Sequence, residues 1–202
     1  MATPADPLEI PDAALLSAAA SGDIERVAIA LAAGARVEAR DTHGRSALLL
    51  AVIGDHLAVA RLLVDRGANP NAVDHRLETP WLTTGVTGSV EMLEILLPAG
   101  PDMTIKNRYG GVAIIPASER GHIEYVHRVA TAGIDVDHVN DLGWTALLEA
   151  VILGDGSDTY QEILRILLDA GADRELADRE GVTALQHAQR FGYHDLVAVL
   201  LS

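Results

Sequence analysis

Cysteine is absent from this chain. That excludes disulfides, a thiol nucleophile and Cys-ligated zinc, and it suits a reducing compartment. Aromatic residues are nearly as scarce, with two Trp, four Tyr and one Phe in 202 residues. Ala, Leu, Val and Ile must therefore fill the core. Apolar types make up 49% of the chain, too large a share for disorder. Positive charge is also short: 15 Lys and Arg face 29 Asp and Glu, a formal net charge of −14. Nucleic acid and anionic membrane surfaces both select basic stripes or clusters, so neither is expected as a partner. Long apolar runs are missing as well. Ala47 to Ile53 falls far short of the roughly 20 residues that span a bilayer. Met1 to Asp12 holds three prolines and three acids where a targeting segment would carry a basic region. These absences predict a cytoplasmic protein.

What the sequence does contain is repetition. Gly34-Ala35, Gly67-Ala68, Gly100-Pro101 and Gly133-Ile134 recur every 33 residues, and Gly171-Ala172 follows after 38. Asp41, Asp74, Asn107 and Asn140 keep the same interval, with Asp178 again after 38. One five-residue insertion thus lies between Asn140 and Gly171, and Gly154-Asp155-Gly156-Ser157-Asp158 has the loop chemistry for it. Within one unit, Ser46 to Ile53 reads as a short first helix. Asp55 or His56 opens a second, with Leu57, Val59, Ala60, Leu62 and Leu63 at helical spacing. Gly67 sits where a helix ends in a left-handed residue, and the polar stretch Asn69 to Arg76 suits a hairpin loop. Helices this short cannot bury an apolar face alone, so the units must stack.

The stretches Asp41-Thr-His-Gly44-Arg-Ser-Ala-Leu48, Asn140-Asp-Leu-Gly143-Trp-Thr145-Ala-Leu147 and Asp178-Arg-Glu-Gly181-Val-Thr183-Ala-Leu185 carry a family resemblance. So do Gly121-His122-Ile123-Glu124 and Ile163 to Asp173. The pattern is similar to the ankyrin repeat family, whose consensus runs D-x-x-G-x-T-P-L-H-x-A, and in particular resembles bacterial ankyrin repeat proteins. The resemblance implies an all-α solenoid of six helix-turn-helix repeats joined by β-hairpin-type loops. Residues 1–11 form an N-terminal extension. The repeats fall at about 12–40, 41–73, 74–106, 107–139, 140–177 and 178–202, the first lacking its leading turn and the last ending after its second helix.

Departures from the pattern carry expectations of their own. Only Thr79-Pro80 keeps the Thr-Pro pair, and the family's His position holds Leu49, Leu82, Ile115, Leu148 and Gln186. Leu77 stands where the turn glycine belongs and is expected to distort its hairpin. Pro98 and Pro101 should end the second helix of the third repeat early. Pro116 is tolerable in the first turn of a helix and kinks it further in. Trp81 occupies the core position of Leu48 and Leu147.

The family geometry implies a partner-facing concave surface, lined by the hairpin tips and first helices. The positions it selects are His43, Arg45, His75, Arg76, Glu78, Arg108, Tyr109, Glu119, Arg120, Asp141, Leu142, Trp144, Ile152, Arg179, Glu180, Arg190 and Phe191. Three of the seven aromatics fall in this set, beside six arginines, and interface hot spots favour both types. The expected function is a non-enzymatic, monomeric scaffold that binds a protein through this face, without metal or cofactor. The alternative is a small-ligand or catalytic site where Glu119, Arg120, Glu149, His187 and Arg190 fall on successive first helices. Against that stands a ladder of inter-repeat salt bridges, the expected reading of the same five residues.

Other chemistry finds little support. His122 and His127 are five apart, whereas zinc-binding helices place two His four apart. His56 and His122 are expected to cap their helices, and His43 with His75 reads as a chance pair at adjacent tips. Asp155, Ser157, Asp158 and Glu162 lack the alternation of a calcium loop. Gly154-Asp155-Gly156 has no Lys-Ser/Thr after it, and no G-x-S-x-G elbow occurs.

Overall fold

The fold is that of a computed structural model, in which residues 9–202 are described. The chain divides into two compact units, Met1–Asp102 and Met103–Ser202. In the first unit, α1 (Glu9–Ser21) pairs with α2 (Ile24–Ala32), α3 (Ala47–Ile53) with α4 (Leu57–Asp65), and α5 (Pro80–Thr87) with α6 (Val90–Leu96). First helices pack in the series α1, α3, α5 and second helices in the series α2, α4, α6. The second unit repeats the plan. There α7 (Ile114–Glu119), α9 (Ala146–Ile152) and α11 (Ala184–Phe191) form the inner series. Their partners are α8 (Ile123–Ala130), α10 (Asp158–Asp169) and α12 (His194–Leu201). Among the described residues no helix is long and apolar enough to cross a membrane.

Helices this short are not stable alone, so caps and packing must fix them. Ser46, Thr79, Thr145 and Thr183 each accept from the amide three residues on, at the same point of the repeat. Val112 stands at that point in the fourth repeat; α7 has no side-chain cap and is only six residues long. Leu49, Leu82, Ile115 and Leu148 are all buried where the family has His. Gln186, the fifth of that series, instead completes a capping box with Thr183. Trp81 is fully buried, as its position predicts.

The linking hairpins share one geometry. In each, the leading residue's N–H donates to the carbonyl four residues on, and its own carbonyl accepts from the amide three residues on: Asp41 with Arg45 and Gly44, Asn140 with Trp144 and Gly143, Asp178 with Val182 and Gly181. The leading side chain closes the same turn. Oδ1 of Asp41, Asp74, Asn107, Asn140 and Asp178 each accepts two backbone amides, at 2.7 to 3.0 Å. The first repeat has no such hairpin. Its buried Asp12 accepts instead from the backbone and guanidinium of Arg36. α1 already begins at Glu9, three residues ahead of the repeat boundary read from the sequence.

Several local expectations change. Leu77 does not distort its hairpin: Leu77 N–H still donates to Asp74 O and Asp74 N–H to Glu78 O, with Leu77 at φ 60. The turn is kept at the cost of left-handed strain. His56 and His122 make no side-chain cap on their own helices. The His56 ring reaches back instead, donating from Nε2 to the carbonyl of Ala20 in the last turn of α1, at 3.1 Å. Tyr160 and Tyr193 stand at the same point of later repeats and donate to Glu119 O and Gly154 O. The left-handed glycines Gly22 and Gly156 leave room for these rings, since a Cβ there would lie within 3 Å of His56 or Tyr193. The insertion is shared between two elements. Two of its five residues lengthen the α9–α10 loop relative to α3–α4, and three lengthen α10 at its start. The prolines act as expected: α6 stops at Leu96 and gives way to a 3₁₀ turn over Leu97–Ala99, while Pro116 sits in the first turn of α7.

Leu77 is half-exposed, so little packing opposes its replacement. Leu77→Gly should raise stability by roughly 0.5–1 kcal/mol by removing left-handed strain. Denaturant midpoints measure this, and a lower midpoint in the variant would show that the turn holds no strain to release.

Candidate functional site

The hairpin tips and first helices hold the residues selected from the sequence, and each unit presents its own set. In the first unit, His43, His75 and Arg76 are exposed at the tips, while Arg45 and Glu78 are half-buried. His75 N–H donates to His43 O, so those two tips join through backbone. The Arg45 guanidinium pairs with Asp41, 2.7 Å from Oδ2. Burial alone would raise the Asp41 carboxyl. The hydrogen bonds from Arg45 and from the His43 amide outweigh it and hold the group below its ordinary range. Arg45 is thus part of the turn as well as of the surface.

In the second unit, Arg108 and Tyr109 share a tip, with the guanidinium 4.6 Å from the ring centroid. Asp141 N–H donates to Tyr109 O, which joins this tip to the next. Tyr109, Leu142 and Phe191 are each about half-exposed, and Trp144 and Ile152 are half-buried. Arg120, Asp141, Arg179, Glu180 and Arg190 are exposed. Phe191 stacks on His187 with ring centroids 6.0 Å apart, and Tyr193 tilts against it at 5.5 Å.

Two of the five residues of the polar cluster are paired within their own repeats. Buried Glu149 accepts from Asn140 Nδ2 at 2.7 Å. His187 donates from Nε2 to Asp178 Oδ2 at 2.8 Å. Glu119 meets Glu149 as a like charge. Among the described residues no ion pair joins Arg120 or Arg190 to these carboxylates, so the expected salt-bridge ladder is corrected to two pairings, each inside one repeat. The reason is the double use of the leading residue. With Oδ1 spent on the hairpin, the second atom of Asn140 or Asp178 is free to reach the first helix nine residues on. The sequence reading missed Asn140 and Asp178 in this role. Their signal was present, since Glu149 and His187 both stand nine residues after a leading residue, where Leu50 and Thr83 stand in earlier repeats.

Electrostatics separate the two pairs. Burial first, and then Glu119, push Glu149 up to about 7, against the bond from Asn140. Asp178 goes the other way: the Val182 amide, with help from His187, holds it below the ordinary range. Elsewhere in this unit, an open groove of about 330 Å³ runs between α8 and α10. His127, Thr131, Glu162, Arg165 and Asp169 line it above Ala130, Ile166 and Ala170, and Arg165 is already paired with Glu162 at 3.1 Å. Among the described residues no group of three or more His, Asp or Glu is placed to hold a metal ion.

Glu149 gives a pH prediction. Its folded value lies above its unfolded one, so the unfolded chain ionises first as pH rises. Stability is lost between about 4.5 and 7 and stays lost above, by on the order of 3 kcal/mol. Glu149→Gln keeps the Asn140 bond and cannot ionise. Its stability gain over the parent should grow by roughly 2 kcal/mol from pH 5 to pH 8, followed by urea unfolding. A gain of the same size at both pH values would remove Glu149 as a titrating group in that window.

The ankyrin repeat profile matches three times, over residues 5–74, 81–175 and 133–202. The chain is 37% identical to the ankyrin repeat protein YahD of Escherichia coli (strain K12), across 93% of this chain and 94% of that one. An ankyrin repeat domain from Acinetobacter baumannii AYE superposes with a TM-score of 0.89 at 45% identity, over 93% of this chain and 95% of the other. The ankyrin repeat protein EF0377 does so with a TM-score of 0.91 at 38% identity, over 95% and 98%. Such repeats are generally protein–protein interaction modules without enzymatic activity. Sequence, repeat geometry and relatives agree: this chain belongs to the ankyrin repeat family.

Proposed function

We propose that the protein is a cytoplasmic, monomeric, non-enzymatic scaffold that binds a protein partner through its hairpin tips and first helices. One observation carries the reading. In a chain with seven aromatics, Tyr109 and Phe191 are about half-exposed on that side of the second unit, beside Leu142 and the exposed Arg120, Arg179 and Arg190. Hydrophobic anchors interleaved with arginine are the composition of an interface centre rather than of a solvated face. The mechanism is preorganisation. Doubly closed turns and capped helices hold these side chains in place before contact, so little ordering entropy opposes binding.

The small-ligand or catalytic alternative rests on Glu149, whose value near 7 would suit proton transfer. The partnership of His187 with Asp178 weighs against it, because it commits the imidazole to another carboxylate. Titrating Glu149 by carbon-detected NMR with and without small carboxylic and amine ligands separates the two readings. A ligand-dependent shift would favour the alternative.

For the scaffold, capture from a lysate of the source organism should yield a protein retained by the native chain and lost with a Tyr109→Ala, Trp144→Ala double variant. Calorimetry with that protein should show a loss of at least about 2 kcal/mol on removal of both rings. Unchanged affinity in folded variants would take the rings out of the interface.

A further inference from the structure

Charge is unevenly spread within the second unit. Residues 103–202 carry eight Lys and Arg against fifteen Asp and Glu. Four of those cations, Arg108, Arg120, Arg179 and Arg190, lie at hairpin tips or at the ends of first helices, where Glu119, Asp141, Asp178 and Glu180 supply the carboxylates. Cations and acids are therefore evenly matched on this side, whereas the unit as a whole carries a net charge of −7. Glu149 adds little negative charge there, being buried and partly protonated near neutral pH. The Asp178 carboxylate is held by His187 and by the amides of Glu180 and Val182.

The state of the guanidiniums sharpens the point. Arg165 is committed to Glu162 and Gln161, and Arg174 to the carbonyl of Leu200 at the end of α12. Arg120, Arg179 and Arg190 are exposed, and their guanidiniums make no ion pair or hydrogen bond among the described residues. With nearly two carboxylates per cation in this unit, three uncommitted guanidiniums on one side are not explained by a shortage of acids. Each can form a two-pronged contact with a carboxylate supplied from outside. Leu142 and Phe191 expose about half their surface among them.

We propose that this side of the second unit recognises an acidic protein segment, one that sets carboxylates against Arg120, Arg179 and Arg190 and an apolar side chain against Leu142 and Phe191. The inference rests on the scaffold reading and goes beyond it in naming the chemistry of the partner. The acid excess over the rest of the second unit disfavours such a segment there. The contact is electrostatic at its rim, so it weakens as salt rises.

The probe is a displayed library of random peptides selected on the intact chain, with light scattering run in parallel. Selected peptides should be rich in Asp and Glu beside Leu, Phe or Trp. Their binding should fall about tenfold or more in an Arg120→Glu, Arg179→Glu, Arg190→Glu variant of unchanged circular dichroism, and be largely kept when the same three positions carry Lys. Peptides rich in Lys and Arg, or acidic peptides indifferent to the three reversals, overturn the proposal. Peptides lost instead on Arg45→Glu with Arg76→Glu overturn it while leaving the scaffold reading intact. An empty selection counts against both, and concentration-dependent dimers abolished by the three reversals would assign the face to a second copy of the chain.

Discussion

One side-chain oxygen closes each hairpin. Oδ1 of Asp41, Asp74, Asn107, Asn140 and Asp178 accepts two backbone amides apiece and fixes a turn that would otherwise be a short, exposed and loosely determined loop. The rest of each repeat depends on this closure, because it sets where the first helix begins. Ser46, Thr79, Thr145 and Thr183 then fall five residues on, in place to cap that helix. Asp and Asn serve equally well in the turn, since either offers a carbonyl-type oxygen. They differ in the second atom: an acceptor in Asp41 and Asp178, which takes Arg45 or His187, and a donor in Asn140, which takes Glu149.

The scarcity of large side chains follows from the same stacking. First helices such as α3 and α9 are buried almost throughout, with Ala47, Ala51, Ala146 and Ala150 among their fully buried residues. Small residues let neighbouring helices approach closely. Three rings are used at the seams. His56, Tyr160 and Tyr193 bond a carbonyl at or just past the end of the preceding repeat's first helix. Those carbonyls lack an intrahelical partner, so each ring satisfies a helix end while joining two repeats.

Charge is arranged on a different principle. Acids outnumber cations over the chain, while in the second unit the uncommitted guanidiniums and half-exposed apolar groups lie on the tip and first-helix side. The proposed scaffold would use such a face for recognition by complementarity. The buried Glu149 fits that picture as a structural carboxyl. It is held by Asn140 and kept partly neutral by burial and by Glu119.

Family, helix pairing and the place of the insertion were legible in the amino-acid sequence, because the 33-residue period fixes which residues are equivalent, and equivalent residues meet the same packing problem. Burial of Trp81 and the early end of α6 followed from that equivalence and from proline chemistry alone. Periodicity could not say which way a polar side chain turns. Whether Glu149 met an arginine or an asparagine, whether His56 capped its own helix or the one before, and how Leu77 held a glycine's place were decided by the tertiary structure. Each depends on distances of a few ångströms between residues far apart in the chain, or on a strained backbone angle that the neighbouring hydrogen bonds enforce.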